Sequence, residues 1–246
     1  MIQFVASTGS TNADLATRLG ENERVAEGDW LVADRQLAGK GRQGRIWFDG
    51  AGNFMGSTVI HLVPTDPAPG TLALDAGLAV LEAVSPLITP PHVAQLKWPN
   101  DLLVGGAKLC GILLERVGDA VVVGIGVNLA AAPEVEGRET MALAAYGPAP
   151  DRDTFAATLA LCFDRELERW RTFGLEPVLR RWQAAAHPLG TPLLLGEPGK
   201  KPVTGQFAGL SVDGALQLRL ADGTTRTVHA GEVRLSEGSG DAAGGR

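Results

Sequence analysis

Apolar residues recur along this chain at helical and at alternating spacings, and each spacing predicts an element. Leu15 and Leu19 lie four apart behind a polar start, and Thr11 with Asp14 three residues on resembles a capping box, so residues 10–20 predict a short helix. Residues 30–34 and 54–62 are short apolar runs that predict strands. Between them, 36–52 is too polar for a core and too rich in Gly for a stable helix. Residues 71–88 carry apolar side chains at 74, 78, 81 and 84, one face of a helix that Pro86 should end or kink. Strand-like runs follow at 93–98, 109–115 and 120–127, with 101–104 and a Gly105-Gly106 turn between the first two. The last run, β-branched and flanked by Gly, predicts a buried strand.

The clearest helix spans 154–173, where Phe155, Leu159, Cys162, Phe163, Leu167 and Trp170 form one stripe and Asp153 can cap the start. A shorter helix covers 176–185. After Gly190 the pattern turns to strands at 192–195, 203–208, 215–220, 225–229 and 232–235, with hairpin chemistry at Asp213-Gly214 and Asp222-Gly223. Five short strands in so few residues predict a small β-barrel. The chain therefore reads as an α+β domain over 1–188, a β-barrel over 189–235, and a tail over 236–246 too small and polar to pack.

Composition narrows the function. The 246 residues are 45% hydrophobic with a net charge of −6, enough to bury a full core and too acidic for a general nucleic-acid binder. The N-terminus lacks a basic stretch followed by an apolar run, so no signal peptide is expected. The apolar segments read as shorter than the ~20 residues of a membrane span. Two Cys, Cys110 and Cys162, in apolar runs suit a reducing, cytoplasmic setting. The four His are scattered, and no metal-ligand spacing is visible. Only five of the 22 basic residues are Lys, at 40, 97, 108, 200 and 201.

Three segments carry candidate chemistry. Gly39-Lys40-Gly41-Arg42-Gln43-Gly44-Arg45 interleaves Gly with cations, and its amides could face inward as an anion nest. A solvated loop is the plainer reading of the same residues. Lys97-Trp98-Pro99-Asn100-Asp101 reads as a strand end and a tight turn, which accounts for Pro99 and Asn100 but does not require Lys97 or Trp98. Lys108-Leu109-Cys110-Gly111-Ile112-Leu113 puts an ammonium at the mouth of an apolar strand, where it needs an anion nearby or must snorkel. Downstream, Gly124 and Gly126 place small residues in a buried strand, where a ligand or another backbone can approach closely.

Taken in order, Ser10-Thr11-Asn12, GKGRQGRIW (39–47), KWPNDLLVGGAKLCGILLE (97–115) and GIGVN (124–128) closely resemble the biotin protein ligases. The resemblance covers about 7–128 strongly, and the 154–173 helix and the C-terminal strands in pattern only. It implies a mixed-sheet catalytic domain of the biotin/lipoyl ligase, class II synthetase-like type, followed by a small SH3-like barrel. It implies an enzyme that forms biotinyl-5′-AMP from biotin and ATP with Mg²⁺, then transfers biotin to one Lys of a biotin carboxyl carrier protein.

By the same resemblance, Arg42 and Lys108 hold the biotin carboxylate and the α-phosphate. Ser10, Thr11 and Gln36 bond the ureido ring, with Gly39 and Lys40 sharing the task. Gly111 and Gly124 floor the biotin slot. Trp47 stacks on adenine, with Asn128 near it and Arg45 toward the adenylate. Asp101 orients or deprotonates the incoming acceptor Lys. The Gly-rich loop is expected to fold over the adenylate. Gly56, where relatives carry a bulkier residue, is expected to change the slot wall, and 130–140 matches no pattern.

The ligase signature begins within ten residues of Met1, so a DNA-binding repressor role is not expected. Monomer and homodimer both stay open. The competing readings are a lipoate or octanoate ligase or transferase of the same superfamily, a non-catalytic sensor of biotin or its adenylate, and a general nucleotide-binding module.

Overall fold

A computed structural model describes residues 1–196, 199 and 201–236. From 237 onward, the expected tail lies outside the described residues. Strands β1 (Ile2–Val5), β2 (Trp30–Ala33), β3 (Phe54–His61), β4 (Ala94–Lys97), β5 (Asp101–Val104), β6 (Ala107–Val117) and β7 (Ala120–Val127) form one sheet, ordered β1-β2-β3-β7-β6-β5-β4. β1 and β2 run parallel and all other neighbours antiparallel, so the sheet is mixed as expected. Helix α1 (Thr11–Gly20) packs on β2, β3, β6 and β7, while α2 (Leu72–Val84), α3 (Arg152–Phe173) and α4 (Leu175–Ala185) form a helical layer on the main core.

Strand alternation divides the sheet's two faces. On β7, Val121, Val123, Ile125 and Val127 enter the large core with α2 and α3, whereas Ala120 and Val122 join the small cluster of Leu15, Val25, Leu31 and Val59 beneath α1. Gly124 and Gly126 continue that second parity. On β6, Cys110 and Ile112 face the large core, which places Gly111, Leu113 and Glu115 on the α1 side. The site described below lies on this side.

A second antiparallel sheet contains β8 (Pro192–Gly196), β9 (Val203–Leu210), β10 (Leu216–Arg219), β11 (Thr225–Val228) and β12 (Glu232–Leu235), ordered β11-β10-β9-β8-β12. The five expected strands are all present, and Gly214 and Gly223 take the left-handed turn conformation at φ 83° and 85°. The described end strands β11 and β12 do not pair with each other, so the expected barrel is found here as a sheet. Leu193, Leu195, Phe207, Leu216 and Val233 belong to the same core cluster as α2 and β6, so the two sheets share one hydrophobic interior. Trp98 spans the junction and donates from Nε1 to the Gly214 carbonyl at 3.2 Å.

Several local expectations are corrected. β1 was not expected; Ile2 and Val5 are only partly buried, Gln3 and Phe4 are exposed, and there is no alternation. The N-cap of α1 is Ser10, whose side chain accepts from the Ala13 amide, while Asp14 instead accepts from Thr8 Oγ1 at 2.5 Å. Asp151, not Asp153, caps α3, accepting from the Thr154 amide at 2.8 Å. Asp153 pairs with Arg152 instead. Residues 101–104 are a full strand, joined to β6 through Gly105 and Gly106 at φ 59° and 87°.

Pro69–Leu87 is 19 residues long and apolar enough to meet the length and composition of a membrane span, against the expectation that no segment comes near. Here it is a core helix flanked by 3-10 turns: ten residues of α2 are buried inside the protein, and Pro86 sits in the turn that follows.

Candidate active site

A cavity of about 340 Å³ lies between the start of α1, the 40–48 segment, strands β3, β6 and β7, the 133–140 loop and β12. Ser10, Thr11, Gln36, Lys40, Arg42, Arg45, Trp47, Asp101, Lys108, Gly111, Gly124 and Asn128 all line it. Among the residues singled out from the sequence, Gly39 stands just behind the lining. A Cβ there would meet the Trp47 carbonyl at 3.1 Å and Gln36 Nε2 at 3.3 Å. Segments far apart in the chain thus converge on one slot.

The floor is glycine because something packs directly on it. A Cβ on Gly126 would come within 2.3 Å of the Trp47 indole, and one on Gly111 within 2.9 Å of the same ring and 3.0 Å of Lys108 Nζ. Gly124 differs from expectation: a Cβ there would fall 2.1 Å from Asn12 Oδ1, so its missing side chain makes room for the α1 carboxamide. Gly56 lines the cavity through its backbone, but a Cβ there would point at the Phe54 ring, 2.6 Å away. Two polar atoms in the cavity lining are buried without a hydrogen-bond partner, Trp47 Nε1 and Asn128 Oδ1. Each is a donor or acceptor that finds no hydrogen-bond partner among the described residues.

One end of the cavity is strongly cationic. Arg42, Arg45, Lys97, Lys108 and Arg138 line it against two carboxylates, Asp101 and Glu232, although the chain as a whole is acidic. The β4–β5 hairpin pairs Lys97 with Asp101, and the β5–β6 pairing brings Lys108 alongside. Asp101 therefore receives Lys97 Nζ at 2.7 Å and Lys108 Nζ at 2.5 Å. Burial would raise the Asp101 carboxyl, but the charges and hydrogen bonds of the two lysines outweigh it and hold the group far below the ordinary carboxylate range. A carboxylate so held orients its neighbours well and accepts a proton poorly. Of the two roles expected of Asp101, the geometry favours orientation. Burial lowers Lys97, and Lys108 and Arg138 lower it further, against the opposing pull of Asp101. Lys108 also lies 5.6 Å from the centre of the Trp47 ring, a cation–π arrangement.

The Gly-rich segment is a tight hairpin. Lys40 bridges to Ile46, the Gly41 amide donates to the Arg45 carbonyl at 2.7 Å, and the Trp47 amide to the Gly39 carbonyl at 2.9 Å. Gln43 and Gly44 make the left-handed turn at φ 58° and 73°. The Gly41 amide expected to face an anion is thus used within the hairpin, and positive charge reaches the cavity from side chains instead. Arg42 donates to Asn100 Oδ1 at 3.2 Å and to the Gly231 carbonyl at 3.4 Å. Burial lowers its pKa, with Asp101 acting in the opposite direction.

Sequence reasoning missed the residues that close the cavity from outside the matched motifs. Glu232 on β12 accepts from Arg45 at 2.7 Å and from Arg138 at 2.5 Å. Burial opposes but does not cancel the pull of the arginines, and its carboxyl is lowered. Arg138 sits in the 130–140 stretch, and neither it nor Glu232 lies in a motif that could have marked it. Asn12 and Ser57 were also passed over; Asn12 had a signal, since it completes the Ser10-Thr11-Asn12 motif.

The sequence matches the model of the biotin/lipoate A/B protein ligase family over residues 5–129 and that of the biotin protein ligase C-terminal domain over 194–236. It is 37% identical over 236 residues to the biotin–[acetyl-CoA-carboxylase] ligase of Mycobacterium tuberculosis, covering 94% of this chain and 88% of the relative. The enzyme of the same name from Paracoccus denitrificans is 38% identical over 227 residues, covering 88% and 93%. The fold superposes on the biotin protein ligase of Aquifex aeolicus, solved in complex with biotin and ATP, with a TM-score of 0.83, 26% identity and coverage of 96% and 99%. The matched span holds the glycine floor and the lysine pair on Asp101, and the second match holds Glu232. This chain belongs to the biotin/lipoate A/B protein ligase family.

Proposed function

We propose that the chain is an ATP-dependent biotin protein ligase. The observation that carries this reading is the slot itself. It is floored by glycine, lined by hydrogen-bonding groups at the Thr11–Gln36 end, and rich in cations at the Lys108–Arg42 end. That order fits a ligand with a polar ring, an apolar middle and a carboxylate that must meet a polyphosphate.

In the first step a biotin carboxylate oxygen attacks the α-phosphorus of ATP, the bond to pyrophosphate breaks, and biotinyl-5′-AMP forms. Both reactants are anionic, so fixed cations are needed to bring them together. Lys108 and Arg42 take this role. Lys108, a compact ammonium seated by Asp101, can follow an oxygen as it moves from carboxylate to anhydride. Ser10, Thr11, Gln36 and Lys40 receive the ureido ring, and Arg45 faces the adenylate. Trp47 and the unpartnered Asn128 Oδ1 receive adenine, whose amino group is a donor.

In the second step the neutral acceptor amine attacks the acyl carbon, the bond to AMP breaks, and an amide forms as the amine proton passes to solvent. Asp101 positions that amine. The acceptor is the biotin carboxyl carrier domain of a biotin-dependent carboxylase, met in the cytoplasm. Cys110 and Cys162 are both unpaired, which suits that reducing compartment. Among the described residues no group of three His, Cys, Asp or Glu is placed to hold a metal, and Asp101 and Glu232 are each tied to two cations. The protein therefore offers no ready cage for Mg²⁺, which enters with ATP as part of the substrate.

The test is mass spectrometry of a biotin carboxyl carrier domain incubated with the protein, biotin and MgATP. A gain of one biotin on one Lys is expected. No gain with a carrier that another ligase modifies, or pyrophosphate exchange that responds to lipoate and not biotin, would refute the proposal.

A further inference from the structure

Behind the polar end of the slot, five residues from α1, β3, β6 and the loop after β2 form one hydrogen-bonded chain. Glu115 on β6 accepts from Asn12 Nδ2 at 2.7 Å. Asn12 Oδ1 accepts from Ser57 Oγ at 2.6 Å, and Ser57 Oγ meets Thr11 Oγ1 at 2.7 Å. Gln36 Oε1 accepts from the Thr11 amide at 2.7 Å. Asn12, Ser57, Thr11 and Gln36 are all buried and line the cavity; Glu115 stands behind them and does not.

The chain has a fixed direction because one end is a carboxylate. An ionised Glu can only accept, so the Asn12 carboxamide must turn its amino group to Glu115 and its oxygen to Ser57. Ser57 has one proton, and Asn12 Oδ1 takes it. Toward Thr11, Ser57 can then only accept, so the Thr11 hydroxyl proton goes to Ser57. Its alternative acceptor, Gln36 Oε1, lies farther away at 3.1 Å. Thr11 Oγ1 is left with free lone pairs. At the other end the Thr11 amide, which can only donate, fixes Gln36 Oε1 and leaves the Gln36 amino group free to donate.

We infer that Glu115 is a positioning residue that sets the polarity of the Asn12–Ser57–Thr11 run, so that the slot offers an acceptor at Thr11 beside the donor that the Thr11 amide fixes at Gln36, together the complement of a cyclic urea's N–H and C=O. The inference rests on the biotin ligase reading. It makes discrimination a matter of proton direction as well as shape. Without a charge on residue 115 the Asn12 amide can turn over and the run from Asn12 through Ser57 to Thr11 Oγ1 can reverse, making Thr11 a donor that faces a ligand N–H.

The experiment measures biotin-dependent ATP–pyrophosphate exchange by the full-length protein with biotin and with its two cyclic carbamate analogues, in which one or other ureido N–H is replaced by oxygen. The wild type should prefer biotin by at least about tenfold in KM over the analogue lacking the N–H that faces Thr11. In Glu115→Gln the biotin KM should rise about tenfold, with kcat changed less than about twofold and the ATP KM unchanged, and that preference should shrink about tenfold. Ser57→Ala breaks the chain in its middle and should lose the same preference, so it carries the test if Glu115→Gln does not fold. A preference that stays at the wild-type level in either folded variant would overturn the inference, because a purely structural role leaves the ratio untouched. If the wild type shows no biotin-dependent exchange, the ligase reading itself fails.

Discussion

Arg45 and Glu232 lie 187 positions apart in the chain, and their side chains meet at 2.7 Å. The same carboxylate also holds Arg138, so one residue of the second sheet ties together the two loops that flank the cationic end of the slot. The C-terminal sheet is thereby part of the site's wall and not an appendage.

Replacing Glu232 by Gln removes the charge that gathers these loops. The ATP KM should rise about tenfold while the biotin KM changes little. The Glu232 carboxyl is lowered from its ordinary value of 4.5, so its pairs are complete above that value and are lost only as pH falls below it. The defect should therefore be constant from pH 6 to 9. A defect that disappears within that range would contradict this account.

Lys108→Arg keeps the charge and should still reduce adenylate formation by about a hundredfold or more. The ammonium sits in a narrow space, with Asp101 at 2.5 Å and the Gly111 floor beneath it, and a planar fork cannot take its place without displacing Trp47. Rapid-quench measurement of biotinyl-AMP is the check; normal rates would show that charge type does not matter here.

Arg42 links the hairpin to Asn100 and Gly231 across the slot mouth. Arg42→Ala should free that edge and shorten the residence of the adenylate about tenfold. Biotinyl-AMP would accumulate in solution in the absence of acceptor. If the variant retains adenylate as long as the wild type does, the link has no gating role.

A Gly126→Ala substitution adds one methyl where only 2.3 Å separates the Cβ position from the indole of Trp47. The floor is backbone and cannot move, so Trp47 must leave. We expect at least about a tenfold rise in both biotin and ATP KM, with Tm lowered by no more than a few degrees. Isothermal titration with biotin alone would show an unchanged affinity if this packing were irrelevant.

Asp75 on α2 is fully buried with neither carboxylate oxygen hydrogen-bonded. Burial raises its pKa well above 3.8 and the nearby Glu166 raises it further, against Arg181 and Arg169. For an acid raised in the folded state, the stability present below the unfolded value is lost as pH climbs toward the folded one. Asp75→Asn mimics the neutral form, so its Tm should exceed that of the wild type at pH 8 by about 2–4 °C, and the gap should close toward pH 4. A gap that widens on acidification would reverse the assignment.

Much of this was readable from the chain. The scarcity of lysine was informative: three of the five, Lys40, Lys97 and Lys108, line the slot. The β7 run predicted a buried strand because alternate valines serve the core. What stayed hidden depends on distance or on close competitors. Glu232 and Arg138 have no local pattern, since their meaning lies in a contact made only after folding. At α3, Asp151 and Asp153 are equally good caps by residue type, and only backbone geometry chooses between them. At α1, Ser10 and Thr11 compete in the same way. The inward-facing amide nest loses at least the Gly41 and Arg45 amides to bonds within the turn, because sequence shows that a backbone can turn, but not whether its amides find partners there.

The alternation along β7 has a consequence for how the molecule matures. One face of the strand completes the core and the other leaves the slot open, and both follow from a single pairing register with β3 and β6. A slip of one residue would push valines into the slot and glycines into the core, losing stability and ligand access together. No stable misfolded form can then persist with a good core and a blocked slot. Correct folding thus certifies the register that opens the slot, while the side chains that line it are tested only by the ligand.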